Sequence, residues 1–431
     1  MRLLLALIAF NLIVIVHELG HFIVARLAGI KVLEFSLFIG PRLFGFKRGE
    51  TEYSLRLIPA LAYVKLEGED EASESERSFS KKSVPARMAT IVAGPLANIV
   101  VAVLVLLVGY SIAGYDTTRI NTVVKDSPAY SAGLRPGDEI ISYDQKRIYQ
   151  PMDISMFLYS SDGNPATVEV LRDNQKIRME ITPQKIPAQN RYILGFTAKA
   201  ADGPDSNIVA AVDPNSPAGK GGLLPDDRIV EINGGKVASR QEISSLLNEN
   251  KDKPVEVTVV RDGSNQVLTM TPMLQKTPEQ YYLGFDFTSE KGNIFQVIGR
   301  SITNSYSITR MEIYSIGWLI RGKVPLDQMA GPVGIVSAIN TVVQQSPTAL
   351  MVVLDLLKMV ALISIGLGIT NLLPIPPADG SKLVLLMVEG IRKKPLPMEK
   401  EGLIMMIGFV VMLTLFVLLT FNDIMRLLTG G

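Results

Sequence analysis

The chain has 431 residues, 47% of them hydrophobic and 20% charged, with a net charge of +1 and no cysteine. It is too long for one ordinary domain and too apolar for a wholly soluble one. The balanced charge gives no basic field for nucleic acid, and without cysteine both disulfides and thiolate metal sites are excluded.

The first element is an apolar run, residues 3–16, that resumes after a polar interruption as FIVARLAGI. About 20 apolar residues cross a bilayer, so 1–30 is expected as a first transmembrane helix. A cleaved signal peptide is the alternative, and a signal core would not carry the interruption, H-E-L-G-H. These are the only two histidines in the chain, His17 and His21, with Glu18 between them. Residues four apart share one face of a helix, so both imidazoles can reach one metal ion. Glu18, about 100° round, can reach water beside it, the arrangement of zinc hydrolases in which the Glu is the general base. An ionisable group at bilayer depth costs about 2.5–3.5 kcal/mol on insertion scales, so three together need a compensating partner. A metal ion is one; an ion pair of Glu18 with a histidine is the structural rival.

Residues 31–87 are basic near both ends and contain the strand-like ETEYSLRLIPALAYVKL, 50–66. A second apolar run follows at 88–115, a third at 349–373, interrupted by Asp355 and Lys358, and a fourth at 402–421. The expected architecture is therefore a polytopic α-helical membrane protein with four transmembrane helices, the third counted as 349–390 and the fourth as 402–425. Lys and Arg near membrane ends favour the cytoplasm. That puts 31–87 and the short loop 391–401 inside and 116–348 outside.

Residues 116–290 have a soluble composition and repeat themselves. SPAYSAGLRPGDEII starts at Ser127 and SPAGKGGLLPDDRIV at Ser216, an offset of 89 (216 − 127), which also relates Arg172-Asp173 to Arg261-Asp262. Two copies of one small β-rich α+β domain are expected, 116–202 and 203–291, with helices at 153–160 and 240–248. They resemble the PDZ domain in the permuted form of bacterial proteases, whose groove takes an extended peptide as an added strand; spacers without a ligand are the alternative. The segment 292–348, with Trp318, Arg310, Arg321 and Lys323, reads as interfacial helices or a plain connector.

A catalytic zinc has three protein ligands and an open position. With no further His and no Cys, the third must be Asp or Glu. Asp355 has Lys358 three residues on as an ion-pair partner. Asp379 follows Pro374, Pro376 and Pro377, which prevent helix there; irregular backbone at membrane depth lines a wet cavity or is buried in protein. A simple turn between two helices is compatible with either role.

H-E-x-x-H at 17–21, G-P-x-x-N from Gly94 to Asn98, the repeated pair and N-x-x-P-x-P-x-x-D-G from Asn371 to Gly380 together resemble the site-2 protease family of intramembrane zinc metalloproteases, in its four-span form with two periplasmic PDZ domains. The resemblance implies zinc held by His17, His21 and Asp379, Glu18 as catalytic base, Asn371 against the substrate backbone, and 50–66 as a re-entrant β-hairpin, with the strand 51–58 available to pair an opened substrate. It implies an inner-membrane enzyme with its active site near the cytoplasmic side. Its substrates would be single-span membrane proteins such as a trimmed anti-sigma factor, with the lipid bilayer and PDZ peptide ligands as further partners. Where the family shows Leu-Asp-Gly-Gly, this chain has Ala378 to Ser381, and Leu61-Ala62 replace a Gly-Gly. A PDZ scaffold with structural zinc and a zinc transporter are the rival classes. A transporter needs several ligand sites along a path, which two histidines do not supply.

Overall fold

A computed structural model describes residues 2–69, 71, 73–199, 206–214, 216–277, 279–323, 329, 331–345, 348–394 and 397–429. The chain forms two compact units, one of Met1–Ser160, Ala166–Ile181 and Gly284–Asp423, the other of Ser161–Pro165, Thr182–Leu283 and Ile424–Gly431.

The first unit opens with α1 (Arg2–Leu27), then β1 (Val32–Arg48) and β2 (Thr51–Leu66), then α2 (Val84–Ala113). The two long strands fold back on themselves. Residues 34–37 of β1 pair with 62–65 of β2 on one side and with 52–55 on the other, and 44–48 also pair with 51–55. The result is four segments in the order 62–66, 32–37, 51–55, 44–48. Phe38 and Leu61 carry the bends with φ of 69° and 65°. The expected hairpin is thus a small sheet, and 51–55 lies inside it with both edges taken. The segment 62–66 is an edge, so the expectation that 51–58 receives a substrate strand does not hold. Ala25, Ile30, Val32, Leu66, Phe79 and Ile91 form a core joining α1, this sheet and α2.

Beyond α2 come β3 (Tyr115–Val123), α3 (Pro128–Ser131), β4 (Glu139–Tyr143), β5 (Lys146–Arg147), α4 (Pro151–Ser160), β6 (Ala166–Arg172) and β7 (Gln175–Ile181). The second unit continues with β8 (Gln184–Ile186), β9 (Gln189–Ile193), β10 (Phe196–Ala198), β11 (Val209–Val212), α5 (Pro217–Lys220), β12 (Arg228–Ile232), β13 (Gly235–Lys236), α6 (Arg240–Asn250), β14 (Val255–Arg261), β15 (Ser264–Met270), β16 (Met273–Thr277) and β17 (Gln280–Tyr282). The last strand, β18 (Phe285–Glu290), returns to the first unit.

The 89-residue offset holds bond for bond. Asp138 accepts from the Arg172 guanidinium and the Arg135 N–H, and Asp227 accepts from Arg261 and the Leu224 N–H in the same way. One strand breaks the consecutive order. In the second copy Phe196 pairs with Val212, within 203–291 or just before it. In the first copy the strand opposite Val123 is not that one but Phe285, 89 residues later (285 − 196), giving the sheet order β18-β3-β4-β6-β7. The arrangement therefore differs from the expected blocks 116–202 and 203–291. The second copy is inserted into the first, between β7 and β18. Both candidate strands follow a Leu-Gly-Phe sequence, at 194–196 and 283–285, so the repeat cannot say which copy each completes.

The first unit then runs through α7 (Ile294–Ile320), α8 (Pro332–Gln345), α9 (Ala349–Asn371), α10 (Asp379–Arg392) and α11 (Met398–Thr429). Among the described residues, four helices, α1, α2, α9 and α11, are long and apolar enough to cross a membrane. The helix expected within 292–325 is present as α7, but it is packed on two sides. Ile308 joins Ala102 and Leu106 of α2 and Ile365 of α9 in a second core, while Arg310 ion-pairs with the buried Asp153 of α4 at 2.7 Å. The third apolar run ends at Asn371, and α10 begins afresh after the proline-rich break.

Candidate metal centre

His17 and His21 lie one turn apart on α1, facing α2. The close approach of the two helices depends on glycine: a Cβ on Gly20 would strike the Ala93 carbonyl. From the other side, the break after α9 delivers Asp379 as the first residue of α10. Gly380 makes the turn possible, because a Cβ there would collide with the carbonyls of Leu372 and Leu373. An ion pair of the buried Arg87 with Glu389 ties α10 to α2, and Lys382 with Glu69, at 2.7 Å, ties it to the loop after β2.

The three donors meet. Asp379 Oδ2 lies 3.0 Å from His17 Nε2 and 3.3 Å from His21 Nε2, and the two Nε2 atoms are 3.1 Å apart. Among the described residues, this is the group of His, Cys, Asp and Glu side chains able to hold a metal ion. The donor set, two imidazole nitrogens and one carboxylate, is that of a catalytic zinc site. Bonds of about 2.0–2.1 Å in a tetrahedron separate donor atoms by roughly 3.4 Å, close to the spacings found. Two imidazole lone pairs at such a distance repel unless a cation lies between them, so the residues fit zinc. Asp355, the other carboxylate weighed as a ligand, sits with Lys358 at 3.8 Å, outside this group.

The partners of the surrounding groups were less legible in the sequence. Glu18 Oε2 accepts the Val64 N–H at 3.0 Å, so the edge segment of the small sheet fixes the direction of this carboxylate. Asn371 places Nδ2 3.4 Å from His17 Nε2, at the donor cluster itself. Thr90, Gly94 and Asn98 of α2 line the far side of both imidazoles. The His21 Nδ1 is 2.8 Å from the Thr90 carbonyl, and a Cβ on Gly94 would fall on the Nε2 atoms of both rings. The G-P-x-x-N motif signalled Gly94 and Asn98 in the sequence; Thr90 lies outside it.

A family model described as peptidase family M50 matches residues 5–415. The chain is 29% identical to the regulator of sigma-W protease RasP of Bacillus subtilis, over 98% of this chain and 97% of that protein. It is equally similar, 29% over 98% of both chains, to the zinc metalloprotease RasP of Bacillus licheniformis. Among solved structures, the HtrA3 PDZ domain bound to a phage-derived ligand covers 21% of this chain and 91% of that chain, with 22% identity and a TM-score of 0.17. Similarity running the length of the chain, through the helices that bring the three donors together, makes this protein a member of peptidase family M50 and a zinc metalloprotease.

Proposed function

We propose that this metalloprotease is an intramembrane endopeptidase that cleaves the membrane-spanning segment of single-span proteins. The observation that carries the reading is the convergence of His17, His21 and Asp379, from two separate elements, next to Glu18, with both histidines on a helix long and apolar enough to span. His17, His21 and Asp379 hold the metal. Zinc, when bound, supplies Lewis acidity and makes water a usable nucleophile near neutral pH. Glu18, held by the Val64 N–H, takes the proton of the attacking water and passes it to the leaving amine. Asn371 donates its amide hydrogen to the carbonyl under attack or its neighbour.

A spanning substrate is helical and its carbonyls are engaged in i→i−4 bonds, so it must open before it is cut. The edge segment 62–66, whose Val64 already meets Glu18, offers main-chain groups to the opened strand. The two repeated domains act as PDZ domains on the periplasmic side of a bacterial inner membrane, with the metal near the cytoplasmic side. They admit substrates already trimmed outside. On this reading the enzyme works as a regulator of sigma-E protease does, on an anti-sigma factor, and on remnant signal peptides.

The test is turnover of a trimmed single-span anti-sigma factor by purified wild type and Glu18→Gln. Loss of a general base lowers the rate by about 10²–10⁴-fold, and zinc content should not change. Equal cleavage by both forms would return the protein to the rival class, a PDZ scaffold with structural zinc.

A further inference from the structure

We propose that Asn98 is a positioning residue for His17, and that α2, which gives no ligand atom, thereby sets the direction of both metal-binding imidazoles. This rests on the reading of His17 and His21 as zinc ligands. A ligating imidazole uses one nitrogen for the metal and needs an acceptor for the N–H on the other, and that acceptor fixes both the tautomer and the ring orientation. For His21 the acceptor is plain. Its Nδ1 lies 2.8 Å from the Thr90 carbonyl, which can only accept, so Nδ1 carries the hydrogen and Nε2 is left for the metal.

His17 needs the same service. Its Nε2 faces Asp379, and its Nδ1 lies 3.3 Å from the carboxamide of Asn98, which is fully buried. The Asn98 Oδ1 has no hydrogen-bond partner among the described residues. A half-turn of the carboxamide about Cβ–Cγ exchanges its two ends, gives the orphaned oxygen the Nδ1–H, and completes the pattern seen at His21. Asn98 is itself held in place. Its carbonyl accepts the Ser364 hydroxyl at 2.8 Å, and α9 comes close enough at Gly368 for a Cβ there to lie 3.4 Å from the Asn98 Cβ. Thr90, Gly94 and Asn98 follow one another at four-residue spacing, a single stripe of α2. The stripe reads acceptor, gap, acceptor, and the gap is where the rings sit.

The experiment measures zinc affinity of the full-length protein by chelator competition, alongside the thermal midpoint of its zinc-free form. Asn98→Leu keeps the size and loses the acceptor. Its affinity should fall about 10–100-fold, while Asn98→Asp, which keeps an oxygen at the same reach, should stay within about threefold of wild type. In a His17→Ala background the Leu substitution should cause no further fall. Wild-type affinity in Asn98→Leu, loss of affinity in Asn98→Asp, or an undiminished fall in the His17→Ala background would each overturn the assignment. Wild-type affinity in His17→Ala alone would instead sink the ligand reading on which it rests.

Discussion

Gly94 shows how little room the proposed metal centre leaves. In a helix interior, replacing Gly by Ala ordinarily stabilises by about 0.5–1 kcal/mol. Here the added methyl would occupy the place where the two Nε2 atoms meet. Gly94→Ala is therefore expected to lower zinc affinity at least tenfold, the size of effect usual when support of a ligand is lost, while the helix content of the zinc-free protein is unchanged. Metal analysis and circular dichroism check the two halves. The departures from the family pattern also resolve at this scale. Ser381 is buried, and its hydroxyl donates to the Ala378 carbonyl at 2.7 Å, so the turn absorbs it. Leu61 is different. It holds φ at 65°, where a side chain costs on the order of 1–3 kcal/mol. That is why glycine suits the position, and it puts a strained residue next to the edge segment facing Glu18.

At the scale of elements, the two repeated domains are fastened by the same ion pair. Burial pushes the Asp138 carboxyl up, but the Arg172 guanidinium and the Arg135 N–H more than offset it and hold the group below its ordinary value. Asp227 behaves alike, with burial opposed by Arg261 and the Leu224 N–H. A carboxyl held low in the folded state contributes stability that is complete above its unfolded pKa, about 3.9, and lost as pH falls through the lower folded value. Both domains should therefore loosen below about pH 4. Arg172→Gln should weaken the first domain at neutral pH by about 3 kcal/mol, since it strands a buried carboxylate, and should flatten its acid response. Hydrogen exchange of the Ile120 and Gly137 amides, whose bonds cross beside Asp138, reads both effects. Another carboxylate fastens a membrane-type helix. Asp423 of α11 accepts from the N–H groups of Gly331 and Gly334 at the start of α8, the end of a helix where negative charge is favoured.

For the whole molecule, the insertion of one domain in the other decides what can be removed. The first domain hangs from two helices by neighbouring strands: β3 leaves α2, β18 enters α7, and Tyr115 pairs with Glu290 where they meet. The second domain enters after β7 and leaves before β18, which stand at opposite ends of the first sheet. Four strand spacings of about 4.8 Å separate them, so a flexible linker of roughly eight residues can replace the insert. Excising 182–283 with such a linker should leave the first domain folded, with the Ile120 amide still protected. Excising 116–202, the first of the two consecutive blocks, should instead leave both β11 and β18 without their strand partners. Loss of Ile120 protection in the 182–283 deletion would count against the nested arrangement.

The donor cluster was legible in the sequence because its signals are local or compositional. Two histidines four apart with a glutamate between them need only a helix to share a face. Four apolar runs need only their length, and Asp379 announced itself by the prolines before it. The 89-residue offset, too, revealed both copies of the repeated domain. What the sequence could not carry was partnership between distant segments. Which Leu-Gly-Phe strand completes which domain, which edge of the small sheet stays open, and which groups of α2 turn the imidazoles were settled only by tertiary structure. In each case several segments had the same local pattern, and the choice among them is made by packing and by the pairing of main-chain groups across long stretches of chain.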